Sequence, residues 1–252
     1  MTDTSQNALV IENLSKRYRG AESPAVDDLS LRIRRGEIFG LLGPNGAGKT
    51  TFISIISTLL PPSGGRVVLD GVDSVRSPGQ ARRRIGLVPQ EIALYPELTA
   101  RENLSFFGKL QGLGGKDLRS GIRMALAAVG LETNAHRRVA TFSGGMKRRA
   151  NLAAGILHRP PLLLLDEPTV GIDAQSRQLI MEKLEDLKAA GTTMVYTTHY
   201  MEEAQRLCDR VAIMDKGRIL AMGTPDALLA DHPGSADLGE LFLELTGKEL
   251  RD

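Results

Sequence analysis

Tryptophan is absent from this 252-residue chain, and cysteine occurs once, as Cys208. A lone cysteine excludes an internal disulfide and fits a reducing compartment. It falls in the helical pattern of residues 202–210 and reads as a buried, inert thiol. A surplus of charge is missing too. The 32 basic and 30 acidic residues leave +2, which gives no global electrostatic case for nucleic acid or an acidic membrane. The local basic runs, Arg82-Arg83-Arg84, Arg137-Arg138 and Lys147-Arg148-Arg149, are short and read as solvated faces. No apolar run nears the ~20 residues that cross a bilayer; the longest centres on residues 162–165. The start, Met1-Thr2-Asp3-Thr4-Ser5-Gln6-Asn7, has no basic and apolar signal pattern. No Asn-Lys-x-Asp guanine reader occurs, which counts against a GTPase switch. These absences predict a soluble, cytoplasmic protein with no nucleic-acid partner, reaching a membrane only through another protein.

The composition, 42% hydrophobic and 25% charged, is that of a globular chain, and the length suits one large domain or a core with a smaller lobe. Alternation predicts strands at 8–12 and 26–33, with Leu29, Leu31 and Ile33 on one face. Apolar runs predict strands at 37–42, 67–69, 85–88, 162–166, 193–197 and 211–214, and Lys216-Gly217 turns a hairpin into 218–221. Residues 61–65, Pro-Pro-Ser-Gly-Gly, signal a turn. Helical spacing covers 51–60, 99–111, 116–129, 143–157, 174–189, 200–208, 225–230 and 238–245. Thr99 with Glu102 forms a capping box, and Ser143 stands as an N-cap. Strands alternating with helices predict an α/β core with a mostly parallel sheet covered on both faces. The helical stretch at about 90–160 predicts a lobe inserted into it.

Three segments carry chemistry. Gly43-Pro44-Asn45-Gly46-Ala47-Gly48-Lys49-Thr50-Thr51 reads as a phosphate-cradling P-loop. Its glycines allow a tight turn with backbone N–H groups aimed at one anion. Lys49 brings a point charge to the outer phosphates, and Thr50 offers a hydroxyl to Mg²⁺. A strand enters this loop and a helix leaves it, adding a helix N-terminus at the phosphates. Asp166-Glu167 closes the apolar run at 162–165. It reads either as an acidic turn before Pro168 or, given the P-loop upstream, as a Mg²⁺ anchor (Asp166) followed by a carboxylate that polarises a water (Glu167). Ser143-Gly144-Gly145 opens a helix with hydroxyl and amide donors, a second anion site about 90 residues beyond the first.

With these three motifs in order, the chain resembles the nucleotide-binding ATPase subunits of ATP-binding cassette (ABC) transporters, from about Leu9 to Leu229. The resemblance implies the ABC ATPase fold: a P-loop NTPase core with a mostly parallel sheet, an antiparallel N-terminal β region and an inserted helical lobe. It places an ATPase domain at 1–230, with core segments 1–89 and 161–223 and the lobe at about 90–160, and a short helical tail at 231–252. Further residues take roles by resemblance. Tyr18 looks like the aromatic stacked on adenine, though an edge-strand tyrosine would look the same. Gln90 looks like the glutamine that senses Mg²⁺ and water and begins the segment facing the membrane subunit. Asp173 looks like the aspartate contacting the opposite subunit, and it also suits an N-cap. His199 looks like the γ-phosphate histidine. The remaining histidines, His136, His158 and His232, match no motif and read as structural or surface residues.

Two positions depart from the family pattern: Met146-Lys147 stands where glutamine and a polar residue are usual, and Asp173-Ala174 where Asp-Pro is usual. Neither removes a catalytic group. The Met-Lys variant and the stretch from Tyr95 to Leu104 resemble exporters of drug, antibiotic, lipid-linked sugar or sodium type. The implied cofactors are ATP and Mg²⁺, and the implied function is ATP hydrolysis that powers an exporter. ATP would lie between two head-to-tail subunits, with Lys49, Thr50 and Asp166 on one side and Ser143 and Gly145 of the other closing over it. Glu167 would be the general base. The implied partners are a second ATPase subunit and an integral membrane permease, which would hold the chain on the cytoplasmic face. The alternative is a soluble ABC ATPase acting on the ribosome, nucleic acid or an assembly machinery.

Overall fold

The computed structural model describes residues 6–247. The proposed tail therefore reaches past the described residues, and most of the Met1–Asn7 start lies outside them. Two sheets organise the chain. The first is antiparallel, in the order β2 (Val26–Arg34), β1 (Asn7–Lys16), β4 (Gly64–Leu69), β5 (Val72–Asp73). The second runs β10 (Arg218–Gly223), β9 (Arg210–Asp215), β3 (Ile38–Leu42), β8 (Thr193–Thr198), β7 (Leu162–Asp166), β6 (Ile85–Val88). Every pairing in it is parallel except the β9–β10 hairpin.

The second sheet separates two apolar cores, because successive side chains on a strand point to opposite faces. Leu163 and Leu165 of β7, with Met194 and Tyr196 of β8, join one cluster; Leu162, Leu164 and Val195 join the other. The second cluster packs under α1 (Lys49–Ile56) and the antiparallel sheet, where Leu29, Leu31 and Ile33 are buried as their alternation predicts. The first packs under α3 (Ala100–Leu110), α4 (Gly115–Ala128), α5 (Gly144–Ile156), α6 (Ala174–Ala189), α7 (Met201–Leu207), α8 (Pro225–Asp231) and α9 (Leu238–Thr246). Between β5 and β6 lies α2 (Pro78–Arg82), a five-residue helix with Pro78 in its first turn.

Local chemistry sets the boundaries. Thr99 and Glu102 form the capping box of α3, and Ser143 and Asp173 accept from Met146 N and Ser176 N to cap α5 and α6. β1 continues past the alternation, because Asn13 takes a left-handed φ of 50° and its backbone N–H donates to Ser30 Oγ. This bulge breaks the period of two without ending the strand. Gly64 and Gly65 belong to β4 rather than to a turn. α1 begins two residues earlier than its spacing suggests and stops at Ile56, where Ser57 N donates to Ile53 O. The Lys147-Arg148-Arg149 run is not a solvated face. Arg148 donates to the Gln90 carbonyl and, at 2.8 Å, to Val170 O, while Arg149 donates to Val129 O. Desolvation lowers both guanidinium pKa values from their ordinary range.

Candidate active site

The site forms where β3, β7 and β8 end side by side. Leu42 of β3 leads into the 43–48 loop, which turns back so that α1 starts at Lys49. Only glycine suits position 48: its φ is +109°, and a Cβ there would collide with the Ala25 carbonyl. Gly43 likewise lies against the Met214 carbonyl. The loop walls a cavity of about 210 Å³ lined by Ala25, residues 44–51, Gln90 and Glu167.

Lys49 is 6% exposed, and its ammonium folds over the loop, donating to Gly43 O at 2.6 Å and Pro44 O at 3.3 Å. Burial lowers its pKa, opposed by Glu167 and then Asp166. Glu167 is held in a left-handed turn (φ 46°), its N–H donating to Thr197 Oγ1 at 3.0 Å. Its carboxylate lies 3.8 Å from Lys49 Nζ and 3.3 Å from His199 Nδ1, and Gln90 Nε2 donates to it at 3.5 Å. Asp166, also buried, accepts from Thr197 Oγ1 at 2.7 Å. Thr50 is exposed into the cavity, and the Tyr18 hydroxyl stands 3.2 Å from Thr51 Oγ1 with its ring 45% exposed.

Lys49 at the start of α1 and Gln90, Glu167 and His199 just after β6, β7 and β8 thus converge, with Asp166 one residue away. Ser143, Gly144 and Gly145 do not line this cavity. Ser143 and Gly144 are exposed at the start of α5, and Gly145 packs against Ser176, beside the exposed Asp173. The sequence reading missed Thr197, which ties Asp166 to the Glu167 backbone, and Arg148, which ties the Gln90 loop to the loop after Glu167. Thr197 gave no signal in the sequence; the basic run around Arg148 was visible, but its partners were not. Cys208 is buried as expected, with its thiol pushed up by burial.

A strand-loop-helix cradle for phosphates, with acids at the end of a parallel strand one place removed in the sheet, defines a P-loop NTPase. Residues 26–170 match the family model described as ABC transporter. The chain is 49% identical over 216 residues to the linearmycin resistance ATP-binding protein of Bacillus subtilis, covering 86% of this chain and 69% of that protein. It is 43% identical over 235 residues to a Nod factor export ATP-binding protein of Paraburkholderia xenovorans, covering 93% and 76%. Among solved structures it superposes on an ATP-binding subunit of an ABC transporter with a TM-score of 0.84, at 32% identity over 95% of this chain and 99% of that one. It also superposes on a dimeric ATP-binding cassette in a post-hydrolysis state with ADP and Pi bound, with a TM-score of 0.77, at 28% identity over 86% and 98%. The chain belongs to the ABC transporter family. It is an ATP-binding, ATP-hydrolysing subunit, and the relatives' names favour transport over the soluble alternative.

Proposed function

We propose that this chain powers an exporter of a drug, antibiotic, lipid-linked or ion cargo, working as one of two head-to-tail ATPase subunits on the cytoplasmic face of a membrane permease. The observation that carries the chemistry is Glu167, held by Lys49, Gln90 and His199 at the mouth of the P-loop cavity. In this reading the 43–51 loop binds the phosphates through its N–H groups and Lys49. Tyr18 presents an exposed ring for adenine. Glu167 takes the proton of the attacking water, and His199 supports the γ-phosphate. A charge-neutralising, pre-positioned arrangement of this kind is what phosphoryl transfer needs.

The residues fit Mg²⁺. Thr50, Gln90 and Asp166 offer hard oxygen donors, and no group of three or more His, Cys, Asp or Glu among the described residues makes a metal cage. An ion with few protein ligands, keeping waters and phosphate oxygens, suits such a set. When bound it would neutralise charge on the phosphates.

A cavity of about 210 Å³ is smaller than the roughly 300–1,000 Å³ of a site that encloses its ligand. That supports a half-site completed by Ser143, Gly144 and Gly145 of a second copy or paralogue, with Asp173 at the subunit contact. The permease reading draws on a second, larger groove of about 460 Å³ between the core and the helical lobe. Its lining includes Arg82, Arg83, Phe107, Leu110, Asn151 and His158, and also Pro89, next to Gln90. No helix among the described residues is long and apolar enough to cross a membrane; in this reading the path for cargo lies in the permease. In this reading the core (1–89 and 161–223) and the lobe (about 90–160) move against each other. The test is a tagged pull-down from detergent-solubilised membranes with the copurified proteins identified. A multi-span membrane protein is the expected result; ribosomal, DNA-bound or purely soluble partners would overturn the export reading.

A further inference from the structure

Behind the cavity, the first turn of α7 carries a carboxylate that the ATP chemistry above leaves without a role. Glu203 is 4% exposed. Its Oε2 accepts three hydroxyls at once: Tyr196 at 2.6 Å, Thr169 at 2.9 Å and Thr198 at 3.0 Å. Its Oε1 makes no hydrogen bond and faces Arg177 Nε of α6 at 3.5 Å, an N–H that is itself buried without a hydrogen-bond partner. Burial, with Glu203 alongside, holds the Tyr196 phenol well above its ordinary pKa, so it stays a donor.

The partners are informative by where they sit. Thr169 lies two residues after Glu167. Thr198 immediately precedes His199, and its hydroxyl also accepts the Tyr200 N–H at 2.9 Å, turning the chain just after that histidine. Arg177 lies four residues after Asp173, in the first turn of α6. Its guanidinium stands 4.3 Å from the Tyr200 ring centroid, and that ring lies 4.2 Å from the His199 ring. One carboxylate thus fixes the root of the Glu167 loop, the His199 end of β8 and, through Arg177 and Tyr200, the face of the His199 ring. None of Glu203, Thr169, Tyr196, Thr198 or Arg177 lines the P-loop cavity.

Stability alone is a poor account of this cluster. A carboxylate buried this deeply is costly to desolvate, and apolar residues of the same size commonly serve a fold as well or better. What one buried carboxylate oxygen shared by three hydroxyls adds is a fixed arrangement of the elements it joins. We propose that Glu203 is a positioning residue for hydrolysis, registering His199 against the Glu167–Asp173 loop. This rests on the roles given above to Glu167 and His199.

The test compares steady-state ATPase kinetics and ATP binding of the full-length chain in five variants: Glu203→Gln, Thr169→Val, the two combined, Glu167→Gln and His199→Ala. Glu203→Gln is expected to lower kcat about tenfold while KM and ATP affinity stay within about twofold, the split expected when only the transition state loses support. Thr169→Val removes one hydroxyl without changing shape and guards against misfolding of the first variant. It should lower kcat about threefold, and combining the two should cost no more than Glu203→Gln alone, because both act through one network. If Glu203→Gln and Thr169→Val turn over like the unaltered chain while Glu167→Gln and His199→Ala are slow, the positioning role is wrong and the active-site reading stands. If Glu167→Gln and His199→Ala keep full turnover, the active-site reading itself is wrong. A fall in activity that only tracks loss of folded protein, or kcat and ATP affinity falling together, would reduce Glu203 to a structural residue and overturn the proposal.

Discussion

Lys49 is a buried cation whose own environment disfavours its charge: desolvation lowers its pKa more than Glu167 and Asp166 raise it. A residue of that kind serves binding at the expense of the fold. Lys49→Ala should therefore weaken ATP binding about tenfold to a hundredfold, the loss of charge-assisted contacts to phosphate. The same change should leave the unfolding midpoint unchanged or raised, and titration calorimetry beside a denaturant curve checks both halves. In the proposed site Glu167 would stand in the opposite relation to the nucleotide, an anion facing a polyanion. Glu167→Gln should cut hydrolysis by about a hundredfold or more, the usual contribution of a positioned base, while ATP binds as tightly or more tightly. Phosphate release and equilibrium binding measured on one preparation decide this. The motif residues were legible because their chemistry is written in consecutive positions, 43–51, 143–145 and 166–167. Arg148, Thr197 and Glu203 were not, because each makes its contacts across the fold. Arg148 reaches 58 residues back to Gln90 and 22 forward to Val170, and Thr197 reaches 31 back to Asp166. No local pattern encodes such pairs.

Helix α5 shows what an element must satisfy at each end. Its start is pinned by Gly145, where a Cβ would drive into the Ser176 side chain at the head of α6. Gly145→Ala should cost about 1–3 kcal/mol of stability by overpacking, read as a lower denaturant midpoint. Just past its other end, His158 Nε2 lies 3.0 Å from the Ile85 carbonyl. A carbonyl only accepts, so Nε2 carries the proton and neutral Nδ1 is left buried with no partner. Desolvation, the larger effect, lowers the His158 pKa below 6.5. The unfolded chain then binds more protons than the folded one from 6.5 down to the depressed value, so stability falls on acidification through that window and is restored above it. Thermal midpoints at about pH 7.5 and about pH 5.5 should drop less for His158→Gln than for the unaltered chain. An equal drop in both would assign the acid sensitivity elsewhere. The starts of α3, α5 and α6 were legible through Thr99, Ser143 and Asp173, since a cap is a local bond. The length of β1 was hidden by its bulge, and α2 by having only five residues.

At the scale of the molecule, the order β3-β8-β7-β6 brings the P-loop strand within one strand of the acidic one, a crossover arrangement that local periodicity does not specify. It gathers Lys49, Gln90, Glu167 and His199 on one rim and leaves the Ser143 end of α5 exposed and away from the cavity. Two surfaces with phosphate-binding chemistry that do not meet in one copy can meet between two, in a head-to-tail pair that closes on itself. Such a pair predicts a separation of functions. Ser143→Arg puts a long cation where a second copy would close, outside the cavity that binds nucleotide in a single copy. In a Glu167→Gln background, which keeps ATP intact, the unaltered Ser143 chain should shift from monomer to dimer on adding ATP, as read by light scattering. The Ser143→Arg chain should stay monomeric while binding ATP with unchanged affinity. A dimer that forms regardless would show that α5 does not face the second copy. Loss of ATP binding together with dimerisation would instead mark a damaged fold, because Ser143 touches nothing in the P-loop cavity and has no direct route by which to weaken it.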